Sequence, residues 1–171
     1  MAGHSLGGGV ALQTAYQFPE RTDRLLLISS GGLGREVSYA LRAAATLPGA
    51  DPIVAAVTRR AMTALPLVSR PDVGQLADVL SGLRDSKQRT AFIRIARSLI
   101  VWRGQAVSAQ RQTGLLHGVP VVVAWGNVDT TIPPHHHRAF ATRVPEAVAV
   151  EIAGAGHSPH EPTAPCCSSL F

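Results

Sequence analysis

The chain has 171 residues, 46% hydrophobic and 16% charged, a balance that fits a packed domain and excludes a disordered one. Its net charge of +5 comes from arginines scattered between Arg21 and Arg143, with no run longer than Arg59-Arg60. That spread excludes the basic stripe interleaved with aromatic residues that nucleic-acid binding needs, so no nucleic-acid partner is expected.

Near the N-terminus, Gly3-His4-Ser5-Leu6-Gly7 spells G-x-S-x-G. In that pattern a serine sits on a sharp turn between a strand and a helix. Only Met1 and Ala2 precede it, so no supporting strand is predicted. Leu6 to Phe18 is predicted to be helical. Val10, Ala11, Ala15 and Phe18 recur at helical spacing, and Pro19 ends the run. Gly7, Gly8 and Gly9 are poor helix formers; close backbone packing beneath the turn or a flexible N-terminus would account for them.

The apolar run Leu25 to Ile28 is predicted to be a strand buried on both faces. Val119 to Trp125 and Ala147 to Ile152 are two more strands, with a helix over Pro134 to Val144 between them. Strand, helix, strand in that order implies a parallel sheet of α/β type. About 85 residues separate the first two strands, far more than one crossover needs. Helices are predicted there near Val37–Thr46, Pro52–Ala64, Val73–Leu83 and Lys87–Trp102. The last carries Phe92, Ile95, Ala96 and Leu99 on one face, with Arg94 and Arg97 outside it. A membrane-surface helix is the less economical explanation of that pattern than packing on neighbouring helices. No stretch is long and apolar enough to span a bilayer, and the apolar Leu6 to Phe18 is not expected to be a secretion signal, since no positive residue comes before Arg21 and Phe18-Pro19-Glu20 offers no small-residue cleavage site. A cytoplasmic protein without a membrane partner is expected.

Three side chains stand where chemistry could be done. Ser5 opens the first helix. Asp129 follows the second long strand in Trp125-Gly126-Asn127-Val128-Asp129, and His157 follows the next in Gly154-Ala155-Gly156-His157. In a parallel sheet such strand ends share one edge, where ligand crevices form. Each residue alone has a plainer role: Ser5 as a helix cap, Asp129 as a turn residue, His157 as a surface histidine. Their joint placement, in the chain order Ser, Asp, His, favours a catalytic triad.

Other clusters are weaker. His135-His136-His137 has no acid partner at metal-ligand spacing and is predicted to be the exposed start of a helix. His157-x-x-His160-Glu161 only faintly suggests a metal motif. No metal or cofactor is expected. Cys166 and Cys167 are neighbours and close no useful loop, so they are expected to be free thiols. Gly31-Gly32-Leu33-Gly34 lacks the phosphate-cradling pattern and is expected to be a hinge.

The chain resembles the α/β-hydrolase family, specifically its cap-bearing serine hydrolases. The likeness is carried by Gly3-His4-Ser5-Leu6-Gly7-Gly8, by Tyr16-Gln17-Phe18-Pro19-Glu20-Arg21, by Trp125-Gly126-x-x-Asp129 and by Gly154-x-Gly156-His157. It implies a partial α/β-hydrolase fold: three parallel strands with flanking helices and a helical cap insertion. Residues 1–33 and 113–160 would form the core, 34–112 the cap, and 161–171 a disordered tail. It further implies Ser5 as nucleophile, His157 as base, Asp129 as the residue that orients it, and the Leu6 backbone N–H as oxyanion donor. The substrate would be a small acyl compound bearing an ester, thioester or carbon–carbon bond. Serine at position 5 argues against dehalogenase and epoxide-hydrolase activity, which use an acid there.

The resemblance also implies five strands before the serine turn, none of them expected here, and with them the His-Gly loop that supplies a second oxyanion donor. Leu25 to Ile28 would then be an open, apolar sheet edge. Two functions follow as expectations: a serine hydrolase that is weak or inactive as this fragment, or a non-catalytic module that associates, with itself included, through the open edge.

Overall fold

The computed structural model describes residues 1–64, 81–106, 112–116 and 118–160. The elements run β1 (Ala2–His4), α1 (Leu6–Gln17), β2 (Leu25–Ile28), α2 (Tyr39–Thr46), α3 (Ala50–Ala64), α4 (Ser86–Leu99), β3 (Ile100–Val101), β4 (Gly104–Gln105), β5 (Val121–Gly126), α5 (His135–Arg143) and β6 (Val148–Ile152). Short 3-10 turns cover Pro19–Arg21 and Thr113–Leu116. Most of the helix expected at Val73–Leu83, the cysteines, and the tail 161–171 lie outside the described residues.

The main sheet has four parallel strands in the order β1-β2-β5-β6, not three. The extra strand is β1, the support for Ser5 that two preceding residues did not promise. Ala2, Gly3 and His4 pair with Leu26, Leu27 and Ile28. The first two residues of the motif are themselves extended, so the strand overlaps the turn signature and is invisible as a separate apolar run. β1 also covers the edge of β2 that was expected to be open.

Pleating divides the sheet into unequal faces. Leu25 and Leu27 of β2, with Val121, Val123 and Trp125 of β5, are buried against Ala11, Leu12 and Ala15 of α1 and Phe140 of α5, in one core. The alternate residues Leu26, Ile28, Val122 and Ala124 are only half-buried, so β2 is not buried on both faces as its composition suggested. The packed face of α1 is likewise rotated: Gly8, Ala11, Leu12, Ala15 and Tyr16 are buried, while Val10 and Phe18 are exposed.

Between β2 and β5 the described chain is mainly helical. α4 starts where the Asp85 carboxylate accepts the Gln88 N–H at 2.8 Å, an N-cap. It buries Arg89, Ile93 and Ala96 and leaves Ile95 exposed. It stops at Leu99, short of the expected Trp102, because β-branched Ile100 and Val101 turn back on Gly104 and Gln105 as a two-stranded antiparallel ribbon. This ribbon lies against the loop that follows β2. The Gln105 N–H donates to the Arg35 carbonyl at 2.7 Å, and the Gly32 N–H donates to Gln105 Oε1 at 2.6 Å. No helix among the described residues is long and apolar enough to cross a membrane.

Candidate active site

Parallel pairing in register puts His4, Ile28, Gly126 and Ile152 at one end of the sheet. The residues that follow three of these ends meet there.

Ser5 occupies the turn between β1 and α1 with φ 52° and ψ −119°, a left-handed backbone that a non-glycine residue adopts only when its surroundings hold it. Its N–H donates to the Ile28 carbonyl at 2.9 Å, and its carbonyl accepts from Gly8 at 3.1 Å and Gly31 at 2.8 Å. Glycine at position 3 is a steric requirement. A Cβ there would collide with the Gly7 carbonyl and the Gly8 nitrogen. Gly8 in turn packs against the Ser30 side chain. Of the three glycines opening α1, close packing beneath the turn accounts for Gly8 alone: a Cβ on Gly9 would make only ordinary contact with Gly31, and one on Gly7 would meet nothing within 4 Å.

Asp129 sits in the loop after β5, buried, at the bottom of the site. Its Oδ1 accepts the backbone N–H groups of Thr131 at 2.8 Å and Ile132 at 3.0 Å. Its Oδ2 faces His157 Nδ1 at 2.8 Å. His157 Nε2 lies 2.9 Å from Ser5 Oγ. The structure therefore brings together the three side chains named from the sequence, across 152 residues of chain. Leu6, the fourth, begins α1 and is itself exposed; its N–H is one of the first-turn amides that have no intrahelical acceptor.

A fourth group at the site is His4, which spacing did not single out because it lies inside the motif as its variable residue. Its Nε2–H donates to the His157 carbonyl at 2.8 Å, and its ring packs on those of His157 and His160, with centroids 5.0 and 4.7 Å away. Burial holds its pKa below the ordinary imidazole value, outweighing the hydrogen bond to His157.

The His135-His136-His137 run departs from expectation. Only His135 is exposed; His136 and His137 are among the most buried polar residues. α5 turns His137 inward to stack on Trp125 at 5.8 Å, and directs His136 at Glu36. Burial lowers the pKa of both imidazoles. The acid partner missing by spacing is thus supplied from 100 residues away.

Residues 1–163 match the family model described as alpha/beta hydrolase fold. An uncharacterized protein of Mycobacterium tuberculosis is 31% identical over 171 residues, covering 93% of this chain and 50% of its own length. The dihydrolipoyllysine-residue acetyltransferase component of the acetoin cleaving system of Pseudomonas putida is 31% identical, covering 92% of this chain and 40% of its own. Among solved structures, a meta-cleavage product hydrolase from Pseudomonas fluorescens superposes with a TM-score of 0.65 at 18% identity, covering 93% of this chain and 57% of that one. The chain spans about half the length of the curated relatives it matches. With a parallel sheet, a serine on a strained strand-to-helix turn, and a family match over nearly its whole length, this chain belongs to the α/β-hydrolase fold family.

Proposed function

We propose that this chain carries the acyl-transfer site of a serine hydrolase acting on a small ester, thioester or carbon–carbon bond. One observation supports this above the rest: the continuous relay from Ser5 Oγ through His157 to Asp129, at 2.9 and 2.8 Å. An alcohol is a weak nucleophile at neutral pH, so His157 Nε2 takes the Ser5 proton as Oγ attacks the carbonyl carbon. Asp129 fixes the tautomer with Nδ1 protonated and stabilises the imidazolium that forms. The Leu6 N–H, at the positive end of the α1 dipole, donates to the oxyanion. His157 then gives its proton to the leaving group. Water, deprotonated by the same nitrogen, releases the acid product from Ser5.

Residues 34–112 act as the cap that shapes the acyl pocket, with Gly31–Gly34 as its hinge. Among the described residues Leu6 is the one oxyanion donor assigned, and a site without a second would lose about 2.7–4 kcal/mol of transition-state stabilisation, so weak turnover is expected of this chain. The relatives' names span acyl transfer and hydrolysis, so the relay and not a name supports the chemistry. The test is release of p-nitrophenol from a short-chain p-nitrophenyl ester, with mass spectrometry of fluorophosphonate-treated protein. Turnover and a Ser5 adduct are expected, both lost in Ser5→Ala. Equal turnover by the two proteins would dismiss the proposal.

A second function, association with another copy of the chain, is favoured by the outer side of the sheet. Among the described residues β1 pairs on one side only, and Met1, Leu26 and Val122, with Arg24, help line a mainly apolar depression of 430 Å³ at the starts of β2 and β5. Sedimentation at increasing concentration tests it; a monomer at every concentration would remove it.

A further inference from the structure

The Glu36–His136 contact lies outside the serine relay, and nothing in the proposed acyl transfer uses it. Glu36 stands three residues before α2, at the entry to the 34–112 segment, while His135 and His136 form the first turn of α5. Glu36 Oε2 is 2.7 Å from His136 Nε2 and 3.7 Å from His135 Nε2. The three potential ligand atoms all lie within 4.8 Å of one another. We propose that Glu36, His135 and His136 form a binding site for a divalent transition-metal cation of the zinc class.

The donor chemistry selects that class. Two imidazole nitrogens with one carboxylate oxygen suit zinc and its first-row neighbours, and suit calcium or magnesium poorly. The geometry needs little adjustment. Two ligands each about 2.0 Å from a tetrahedral ion stand roughly 3.3 Å apart. The carboxylate must therefore withdraw from His136 by about 0.6 Å and approach His135 by about 0.4 Å, and the exposed His135 ring must turn toward the fixed His136 wherever their nitrogens stand farther apart than this, the separation being at most 4.8 Å. Glu36 and His135 are more than half exposed, which leaves an entry path and a coordination position for water.

The anchor of the site is built. The His136 side chain is 2% exposed, and its ring lies so close to Gly34 that a Cβ there would collide with it. Position 34 is glycine where this imidazole needs the space. The positive end of the α5 dipole opposes a cation here, and the Glu36 carboxylate supplies the countercharge. His136 Nδ1 has no hydrogen-bond partner among the described residues. A metal-bound imidazole ordinarily donates its other N–H to an acceptor, and lacking one costs about 10–100-fold in affinity. Binding in the micromolar range, rather than the nanomolar range of closed zinc sites, follows. Such a cation would staple the entry of the 34–112 segment to the sheet layer.

The test is calorimetric titration of zinc chloride into the untagged 171-residue chain, and into Cys166→Ser/Cys167→Ser, which removes both thiols. One micromolar site is expected in both. His135→Ala, an exposed residue whose loss leaves the Glu36–His136 hydrogen bond intact, should weaken it at least tenfold. Glu36→Gln should do the same, and zinc should raise the melting temperature of the parent but not of His135→Ala. The proposal is overturned if the parent binds no zinc, if binding disappears with the cysteines, or if His135→Ala binds as tightly as the parent. Each readout is independent of Ser5 and of any hydrolysis.

Discussion

Gly126 and Ala155 meet backbone to backbone: a Cβ on residue 126 would collide with the carbonyl oxygens of Ala155 and Gly156. The contact closes the β5 loop on the β6 loop. The Val128 N–H donates to the Ala155 carbonyl at 3.1 Å, and the Gly154 N–H donates to Asn127 Oδ1 at 2.8 Å. One loop carries Asp129 and the other His157. Gly126→Ala should push them apart, lowering stability by about 1–3 kcal/mol as an overpacked position does. It should also slow fluorophosphonate labelling of Ser5 by more than the unfolded fraction explains. Urea midpoints and labelling rates on the same samples measure both; unchanged labelling of the folded protein would contradict the role given to this contact.

Asp129 accepts three hydrogen bonds, two of them from backbone. Asp129→Asn keeps the size but can present its NH₂ to His157 and favour the wrong tautomer. Acylation of Ser5 should fall by about 10³–10⁴-fold, while the fold persists. Stopped labelling time courses against circular dichroism separate the two effects. A loss below tenfold would mean that His157 does not depend on Asp129 for its orientation.

His4 gives the site a pH-dependent stability. Burial favours its neutral form in the folded state, with the His157 and His160 rings nearby opposing its charge and Asp129 supporting it. In the unfolded chain the same imidazole protonates near a pKa of about 6.5. The folded pKa is lower, so the contribution of His4 is complete above the unfolded value. It is lost as pH falls through that value towards the folded one. The urea midpoint should therefore drop between pH 7.5 and pH 5, and drop less in His4→Asn. Equal drops in the two proteins would show that His4 is not a source of the dependence.

Arg89 is a buried cation held on all sides. Its guanidinium forks onto Asp51 at 3.0 and 3.1 Å and donates to the Leu83 carbonyl at 3.0 Å. It ties α3 to α4 at the point where their faces meet. Arg89→Ala should cost roughly 2–3 kcal/mol, because hydrogen bonds to a charged group are lost and the carbonyl is left unpaired. Arg89→Lys should recover only part of this, since an ammonium cannot make the two-pronged contact. Chemical denaturation followed by circular dichroism gives both numbers.

Much of the site was legible along the chain because its signals are local. A serine flanked by glycines, an acid just past Trp125-Gly126, and a histidine just past Gly154-x-Gly156 each announce a loop at a strand end. The strands at Leu25–Ile28, Val121–Gly126 and Val148–Ile152 announce themselves by short apolar runs. α4 was visible as an amphipathic helix but its buried face was not, because Arg89 is buried only by virtue of Asp51, 38 residues earlier.

The order of residues by itself determined that a parallel α/β layer forms, that Ser5 opens the first helix, and that Asp129 and His157 follow the ends of its strands. Tertiary structure alone decided that β1 exists, that Leu26 and Val122 face a thinly covered side, that His4 grips the His157 backbone, and that His136 turns inward to meet Glu36. The physical reason is range. Periodicity and turn chemistry act over a few neighbouring residues, whereas strand pairing across 24 positions and an imidazole meeting a carboxylate across 100 are settled only when the packed layers bring those positions together.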